Sequence, residues 1–229
     1  MRYFLGIDVQ RRRACPAALL RADGSMVDAV WSDEPQALRD SVEELLKADG
    51  GTWADCEVGI DAPREAMGAP RSHYWEGNAK RWRAARPSDA GRGRHCEVVV
   101  SAHRWARPQW TPVRGVTDIP EWMELGFEMF TAFSRAAAVH EVFPSASYRL
   151  LREARNPVHA QIDVRRAAPG PRDLTDAVVA AATLLNRERS GGLEVGGGDG
   201  YGTIVLPLQP SELIAEVLEY PGNSDGPAR

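Results

Sequence analysis

Lysine is almost missing from this chain. Lys47 and Lys80 are the two examples among 28 basic residues, so arginine supplies the other 26. GC-rich coding produces such a bias without any functional demand, although the guanidinium fork also matches phosphate geometry better than an ammonium does. Cysteine is equally sparse. Cys15, Cys56 and Cys96 are odd in number and far apart. They supply neither a disulfide framework nor a paired Cys-x-x-Cys zinc site, and a reducing, cytoplasmic setting is expected. Long apolar runs are missing too, since none approaches the roughly 18 residues a membrane span needs. The chain enters a strand-like segment, Tyr3 to Val9, almost at once. No charged region leads into a long apolar core, so no signal peptide is expected. A Gly-x-x-x-x-Gly-Lys-[Ser/Thr] phosphate loop is absent, and the sequence shows no internal repeat.

What is present suits an ordinary soluble globular protein: 229 residues, 43% hydrophobic and 26% charged. At roughly 150 residues per domain the length gives about one and a half domains. With no evident linker, the expectation is one domain over residues 1–220, carrying an insertion, and a flexible tail at 221–229. The 28 basic and 32 acidic residues sum to a net charge of −4, which argues against a generally basic nucleic-acid coat.

Hydrophobic patterning places the elements. Residues 3–9, 14–21 and 26–32 read as strands, the last two joined by the Asp23-Gly24 turn. Leu38, Val42, Leu45 and Leu46 fall at helical spacing within 35–48. Pro35 suits the first turn, and Asp49-Gly50-Gly51 ends the helix. Residues 56–61 form a fourth strand, and a helical crossover between strands implies a parallel return. Periodicity is lost from about 64 to 115, where Gly, Pro, Arg and Trp dominate. A stretch that long is a functional loop or a small embedded lobe. Beyond it come a helix at 120–138, a fifth strand at 139–143 and a short helix at 146–152. An alanine-rich helix at 173–187, a strand at 203–206 and a helix at 210–219 follow. The whole is an α/β chain with a mixed five-stranded sheet, three antiparallel strands and then parallel ones, flanked by helices.

Acids close two of these strands in the same context. Gly6-Ile7-Asp8 ends the first and Gly59-Ile60-Asp61 ends the fourth. If the two strands are parallel neighbours, Asp8 and Asp61 meet at the carboxyl edge of the sheet, about 5 Å apart. Open α/β sheets place their sites at that edge. Two such carboxylates repel, and one has its pKa raised; a divalent cation, held by carboxylates and substrate phosphate, relieves the repulsion. Each Asp could instead cap a turn. Asp173 and Asp176 share one face of the late helix, where they could also act as N-cap and acidic N3 residue. Glu141, inside the fifth strand, is either a further acid of the site or a partner for backbone or an arginine. The structural role is preferred.

The set Gly6-Ile7-Asp8, Gly59-Ile60-Asp61-Ala62-Pro63, Arg94-His95-Cys96-Glu97, Glu141-Val142-Phe143-Pro144-Ser145-Ala146 and Asp173-Leu174-Thr175-Asp176-Ala177, with Gly202-Thr203-Ile204, resembles domain-of-unknown-function family 429. That family is a group of predicted prokaryotic nucleases of ribonuclease H-like fold, and the resemblance runs from about residue 3 to 207. It implies a ribonuclease H-like sheet with a long insertion after the fourth strand. It also implies catalytic acids at Asp8, Asp61, Asp173 and Asp176, with Asp8, Asp61 and Asp176 holding Mg2+ or Mn2+. Two metals would activate a water and stabilise the leaving oxygen of a phosphodiester. The family motif usually reads Arg-x-Cys-Asp, and Glu97 stands here in place of that Asp.

Charge is unevenly spread. Residues 64–114 hold 11 basic and 4 acidic side chains, a local +7 that leaves −11 for the remainder. Four of the seven tryptophans, Trp75, Trp82, Trp105 and Trp110, lie there. Basic and aromatic side chains interleaved suit single-stranded or distorted nucleic acid, with Arg64, Arg81, Arg92, Arg94, Arg104, Trp82 and Trp105 as candidate contacts. The competing reading is a lobe whose arginines pair with acids and whose tryptophans form its core. His73, His95 and His103 have no metal-ligand spacing. Three functions follow: a metal-dependent nuclease or phosphodiesterase; an inactive nucleic-acid-binding or adaptor protein of the same fold; and an ATP-handling relative. The last needs a second such domain and phosphate-binding loops that this chain lacks.

Overall fold

A computed structural model describes residues 1–153 and 171–221. The expected tail lies outside the described residues except for Pro221. In chain order the elements are β1 (Tyr3–Asp8), β2 (Cys15–Arg21), β3 (Met26–Ser32), α1 (Pro35–Ala48), β4 (Cys56–Asp61), β5 (His73–Glu76), β6 (Arg81–Ala84) and α2 (His95–Ala102). Then come α3 (Glu121–Phe133), β7 (Ala138–Glu141), α4 (Pro144–Glu153), α5 (Pro171–Ser190), β8 (Glu194–Gly196), β9 (Thr203–Val205) and α6 (Ala215–Leu218). The chain divides into two compact units. The first comprises Met1–Arg64, Pro120–Leu193 and Val205–Gln209; the second comprises Glu65–Ile119, Glu194–Ile204 and Pro210–Arg229.

The first unit is built on a mixed five-stranded sheet in the order β3-β2-β1-β4-β7. The pairs β1–β2 and β2–β3 are antiparallel, whereas β1–β4 and β4–β7 are parallel. Every residue of β1 is buried, as expected of a central strand covered on both faces. One face carries Tyr3, Leu5, Ile7, Val58 and Ile60 against Leu38, Val42 and Leu46 of α1 and Met129, Phe130 and Phe133 of α3. The other carries Phe4 and Leu20 against Ala180, Ala181, Leu184 and Leu185 of α5.

Glycine sets the spacing on the α5 side. A Cβ on Gly6 would lie 2.0 Å from the Ala177 carbonyl oxygen and 2.3 Å from the Ala181 nitrogen, and one on Gly59 would lie 3.1 Å from the Ala180 oxygen. The helix backbone therefore rests directly on the glycines of the two Gly-Ile-Asp tripeptides, and the alanines of α5 permit the approach. Gly6→Ala drives a methyl into helix backbone that cannot rotate away. A loss of about 1–3 kcal/mol or more is expected, measurable as a lowered denaturation midpoint in the full chain.

Two of the boundaries that differ from the sequence reading bear on the sheet and the late helix. The helix expected at 120–138 stops at Phe133, where the amides of Ala136 and Ala137 turn back onto the Phe133 carbonyl and free the chain to enter β7. α5 is described from Pro171 onward. Asp173 is therefore the third described residue of α5 and not its N-cap.

The second unit contains most of the stretch that lacked periodicity. It is ordered by side chains that a periodicity rule does not see. β5 and β6 form an antiparallel hairpin with Trp75 opposite Trp82, their rings 5.5 Å apart. Trp82 also meets His95 and Tyr220 edge-on at 5.6 and 5.1 Å. Residues from the C-terminal third complete the unit: the His95 amide donates to Asp199 Oδ2 at 2.6 Å, and the Ala69 amide to the Tyr201 hydroxyl at 2.9 Å. The helix expected at 210–219 is reduced to the single turn α6. Among the described residues no helix is long and apolar enough to cross a membrane.

Candidate active site

Asp8 and Asp61 are register partners at the carboxyl ends of adjacent parallel strands, which lie about 4.8 Å apart. Strand alternation puts both side chains on the face of Gly6 and Gly59, the face that α5 covers. α5 contributes Asp173 in its first turn and Asp176 one turn later. The close seat of α5 on the two glycines thus brings four acids to one edge.

Their electrostatics reflect that crowding. Asp8 is 8% exposed. Burial is the main cause that pushes its carboxyl up to about 7, with Asp176 and Asp173 adding to it; the Gln10 side-chain bond opposes the shift. Asp61 is raised well above the ordinary carboxylate range, by burial first and then by Asp8, Asp176 and Glu141. Asp176 is raised by burial, against a lowering hydrogen bond from Tyr148 and the charge of Arg172, with Asp173 raising it least. Basic compensation is thin. Arg13 Nη2 stands 2.9 Å from Asp173 Oδ2, an oxygen that accepts no hydrogen bond among the described residues. Charges left this close without full compensation favour protonation or a bound cation.

Neutral donors fix the orientation of two acids. Gln10 Nε2 donates to Asp8 Oδ2 at 2.6 Å. Tyr148 of α4 donates its hydroxyl proton to Asp176 Oδ1 at 2.7 Å. Neither Gln10, Arg13 nor Tyr148 was singled out by the sequence. Gln10 lies two residues past Asp8, and that adjacency was its one available signal. Tyr148 has none, because it reaches Asp176 across 28 positions.

Glu141 is set apart. It is the register partner of Ile60 on β7, so alternation directs it to the sheet face opposite Asp8 and Asp61. It is 6% exposed and accepts the Arg64 amide at 3.3 Å. It is the weakest of the causes that raise Asp61.

The candidate nucleic-acid contacts fare unevenly. Arg94 is 1% exposed and Trp105 8%. Arg94 bonds Glu97 and the Tyr201 carbonyl, and Trp105 stacks on His103 with centroids 4.2 Å apart. Both are internal parts of the second unit, unavailable to a ligand from solvent. Trp82 donates its indole proton to the Glu216 carbonyl at 2.9 Å and belongs to the aromatic cluster. Arg81 pairs with Glu76 at 3.1 Å. Arg64, in the first unit, donates to the Val139 carbonyl at 2.7 Å and lies over the Phe130 ring. Arg92 and Arg104 remain exposed. The core-forming reading of the insertion therefore accounts for Arg94, Trp105 and the partly buried Trp82, while Arg64 and Arg81 are exposed as well. Both ring nitrogens of His95 and of His103 are engaged in hydrogen bonds within the unit. His95 Nδ1 accepts the Gly198 amide while Nε2 donates to the Val217 carbonyl; in His103 the roles are exchanged, Nδ1 donating to the Val99 carbonyl and Nε2 accepting the Ile214 amide.

Among the described residues no three His, Cys, Asp or Glu side chains stand in a metal-holding arrangement. The donor chemistry of Asp8, Asp61 and Asp176 nevertheless fits a hard divalent cation, since all are carboxylate oxygens with little basic compensation. No protein-family model, curated protein or solved structure matches the chain.

Proposed function

We propose that the protein is a metal-dependent phosphodiesterase of ribonuclease H-like fold that cleaves nucleic acid. The observation that carries the reading is the in-register pairing of Asp8 with Asp61 at the carboxyl edge, with Asp176 close enough to raise both. The strand order β3-β2-β1-β4-β7 supports the fold label, as does the presence of an acidic helix over β1. Asp8, Asp61 and Asp176 would hold Mg2+ or Mn2+. Asp173, paired with Arg13, and Tyr148, bonded to Asp176, would position those ligands. When bound, such a cation supplies Lewis-acid stabilisation and a more acidic water. The chain's own part is to hold the carboxylates in fixed orientations, with Arg13 and Arg172 as their basic neighbours, and to exclude bulk water from the α5 face of β1.

The test is cleavage of a panel of single- and double-stranded DNA and RNA with Mg2+ or Mn2+. Products are expected from the wild type, with Asp8→Asn and Asp61→Asn reduced to the level of buffer alone and Glu141→Gln retaining activity. A wild type that cuts nothing, indistinguishable from Asp8→Asn, sinks the proposal. It would leave the second reading, a non-catalytic binding protein, whose affinity falls with salt and survives loss of the aspartates.

A further inference from the structure

The second unit holds a cavity of about 420 Å3 lined by Arg71, Tyr74, Trp75, Lys80, Arg104 and Trp110, with Val98 and Ile214 completing its apolar wall. That volume lies within the span of small-ligand sites. Three cations and three aromatic rings line it, and no carboxylate does. The acids nearest in sequence are already engaged: Glu76 holds Arg81 and Arg83 at 3.1 and 3.3 Å, and Asp89 holds Arg83 at 2.7 Å.

Arg71 is the informative residue. Its guanidinium stacks on Tyr74 at 4.2 Å and faces Trp110 at 5.7 Å. Its Nε and Nη1 are buried yet have no hydrogen-bond partner among the described residues. A buried donor on a charged group is expensive to leave unmade, and the two stacked rings hold the fork rigid. Lys80 and Arg104 add a second signal. They are the two non-glycine residues with positive φ among those described, at 46° and 58°, and both stand on the rim of this cavity. Left-handed backbone at non-glycine positions is strain that clusters at ligand clamps.

We propose that this cavity binds a nucleotide unit, its phosphate on Arg71 and Lys80 and its base against the indoles of Trp75 and Trp110. A planar guanidinium fork suits a phosphate, and indole rings stack bases without regard to sequence. An acidic peptide would use the cations, with Tyr74 and Trp110 against Arg71, but would leave the Trp75 indole without a role. The site is separate from the aspartate edge and does not depend on the cleavage reading. The nucleotide is either free or part of a single strand, and the chemistry is the same for both.

The test uses the full chain carrying Asp8→Asn, held in EDTA so that no hydrolysis intervenes. It is titrated with AMP, adenosine, inorganic phosphate and a short single-stranded oligodeoxynucleotide, followed by tryptophan fluorescence and calorimetry. AMP and the oligonucleotide are expected to bind saturably, and adenosine and phosphate each more weakly. Arg71→Ala and Lys80→Ala should each weaken AMP by roughly tenfold or more. Lys80 is exposed, so its variant keeps the test valid if Arg71→Ala fails to fold. Tighter binding of the oligonucleotide assigns the site to a strand; equal or weaker binding assigns it to free nucleotide. Adenosine binding as well as AMP, no saturable binding of AMP or oligonucleotide, or affinity unchanged in both variants overturns the proposal. None of these outcomes bears on cleavage at the aspartates, which is judged by its own assay.

Discussion

Asp8→Asn should make the metal-free protein more stable at about pH 8 while leaving it unchanged at about pH 3. In the folded chain the Asp8 carboxyl titrates near 7, against an ordinary value of 3.8. Below the ordinary value both folded and unfolded chains are protonated there, and the group contributes nothing. As pH rises between about 4 and 7 the unfolded chain releases the proton and the folded chain retains it, so stability falls. Above 7 the loss is complete, on the order of 4 kcal/mol. Asparagine carries no charge at any of these pH values and removes the slope. The variant also relieves Asp61, for which Asp8 is the foremost neighbouring charge. Denaturant midpoints in EDTA across this range, compared as a difference between the two proteins, isolate the contribution from acids such as Glu57. Glu57 is held at about 2, mainly by His140 at 3.4 Å and also by Arg2 and Arg187, and its contribution is lost as pH falls from its ordinary 4.5 toward 2. Parallel curves for the two proteins would show that Asp8 titrates normally. Adding Mg2+ at about pH 8 should then stabilise the wild type and not the variant, because a ligand that binds only the folded state raises its stability by mass action.

That result depends on a feature half visible in the sequence. The repeated Gly-Ile-Asp was legible, and so was the parallel pairing that the intervening helix α1 demands. The meaning of the glycines was not. Their role emerges only when α5, more than a hundred residues downstream, is laid on the sheet and its backbone is seen against Gly6. Asp173 and Asp176 were legible as a pair on one helix face, but Asp173 lies inside the helix and not at its N-cap. Glu141 shows the reverse. Its strand was legible and its side of the sheet was not, since a register of Ile60 with Glu141 cannot be read from one strand alone. In the basic stretch, composition could not distinguish arginines that face solvent from arginines that hold a fold together. Arg94 and Arg92 differ by two positions and by nearly their whole exposure, because one belongs to a buried ion pair and the other to none among the described residues.

Breaking that buried pair should unfold the second unit. Glu97 is 3% exposed and Arg94 1%. The Glu97 carboxylate accepts Arg94 Nη2 at 2.9 Å, Arg94 Nε at 3.2 Å, and the backbone amides of Arg94 and Thr111 at 3.0 Å each; it also accepts the Thr111 hydroxyl. One side chain therefore closes the start of α2, neutralises a guanidinium and fastens the loop at Thr111. Glu97→Ala leaves the arginine charged with its main counter-charge gone and two amides without an acceptor. The expected loss is about 3–5 kcal/mol, a large share of the stability of an ordinary domain. Glu97→Asp keeps the charge but shortens the reach, and Glu97→Gln keeps the reach but removes the charge, so both should fall between Ala and wild type. Four tryptophans, Trp75, Trp82, Trp105 and Trp110, lie in this unit, and their fluorescence during denaturant unfolding reports on it. If Glu97→Ala unfolds at the wild-type midpoint, the pair contributes nothing net to the unit. If the double variant Arg94→Met/Glu97→Leu recovers most of the loss, the penalty in the single variant lies in the stranded arginine, and not in the attraction that the pair supplied.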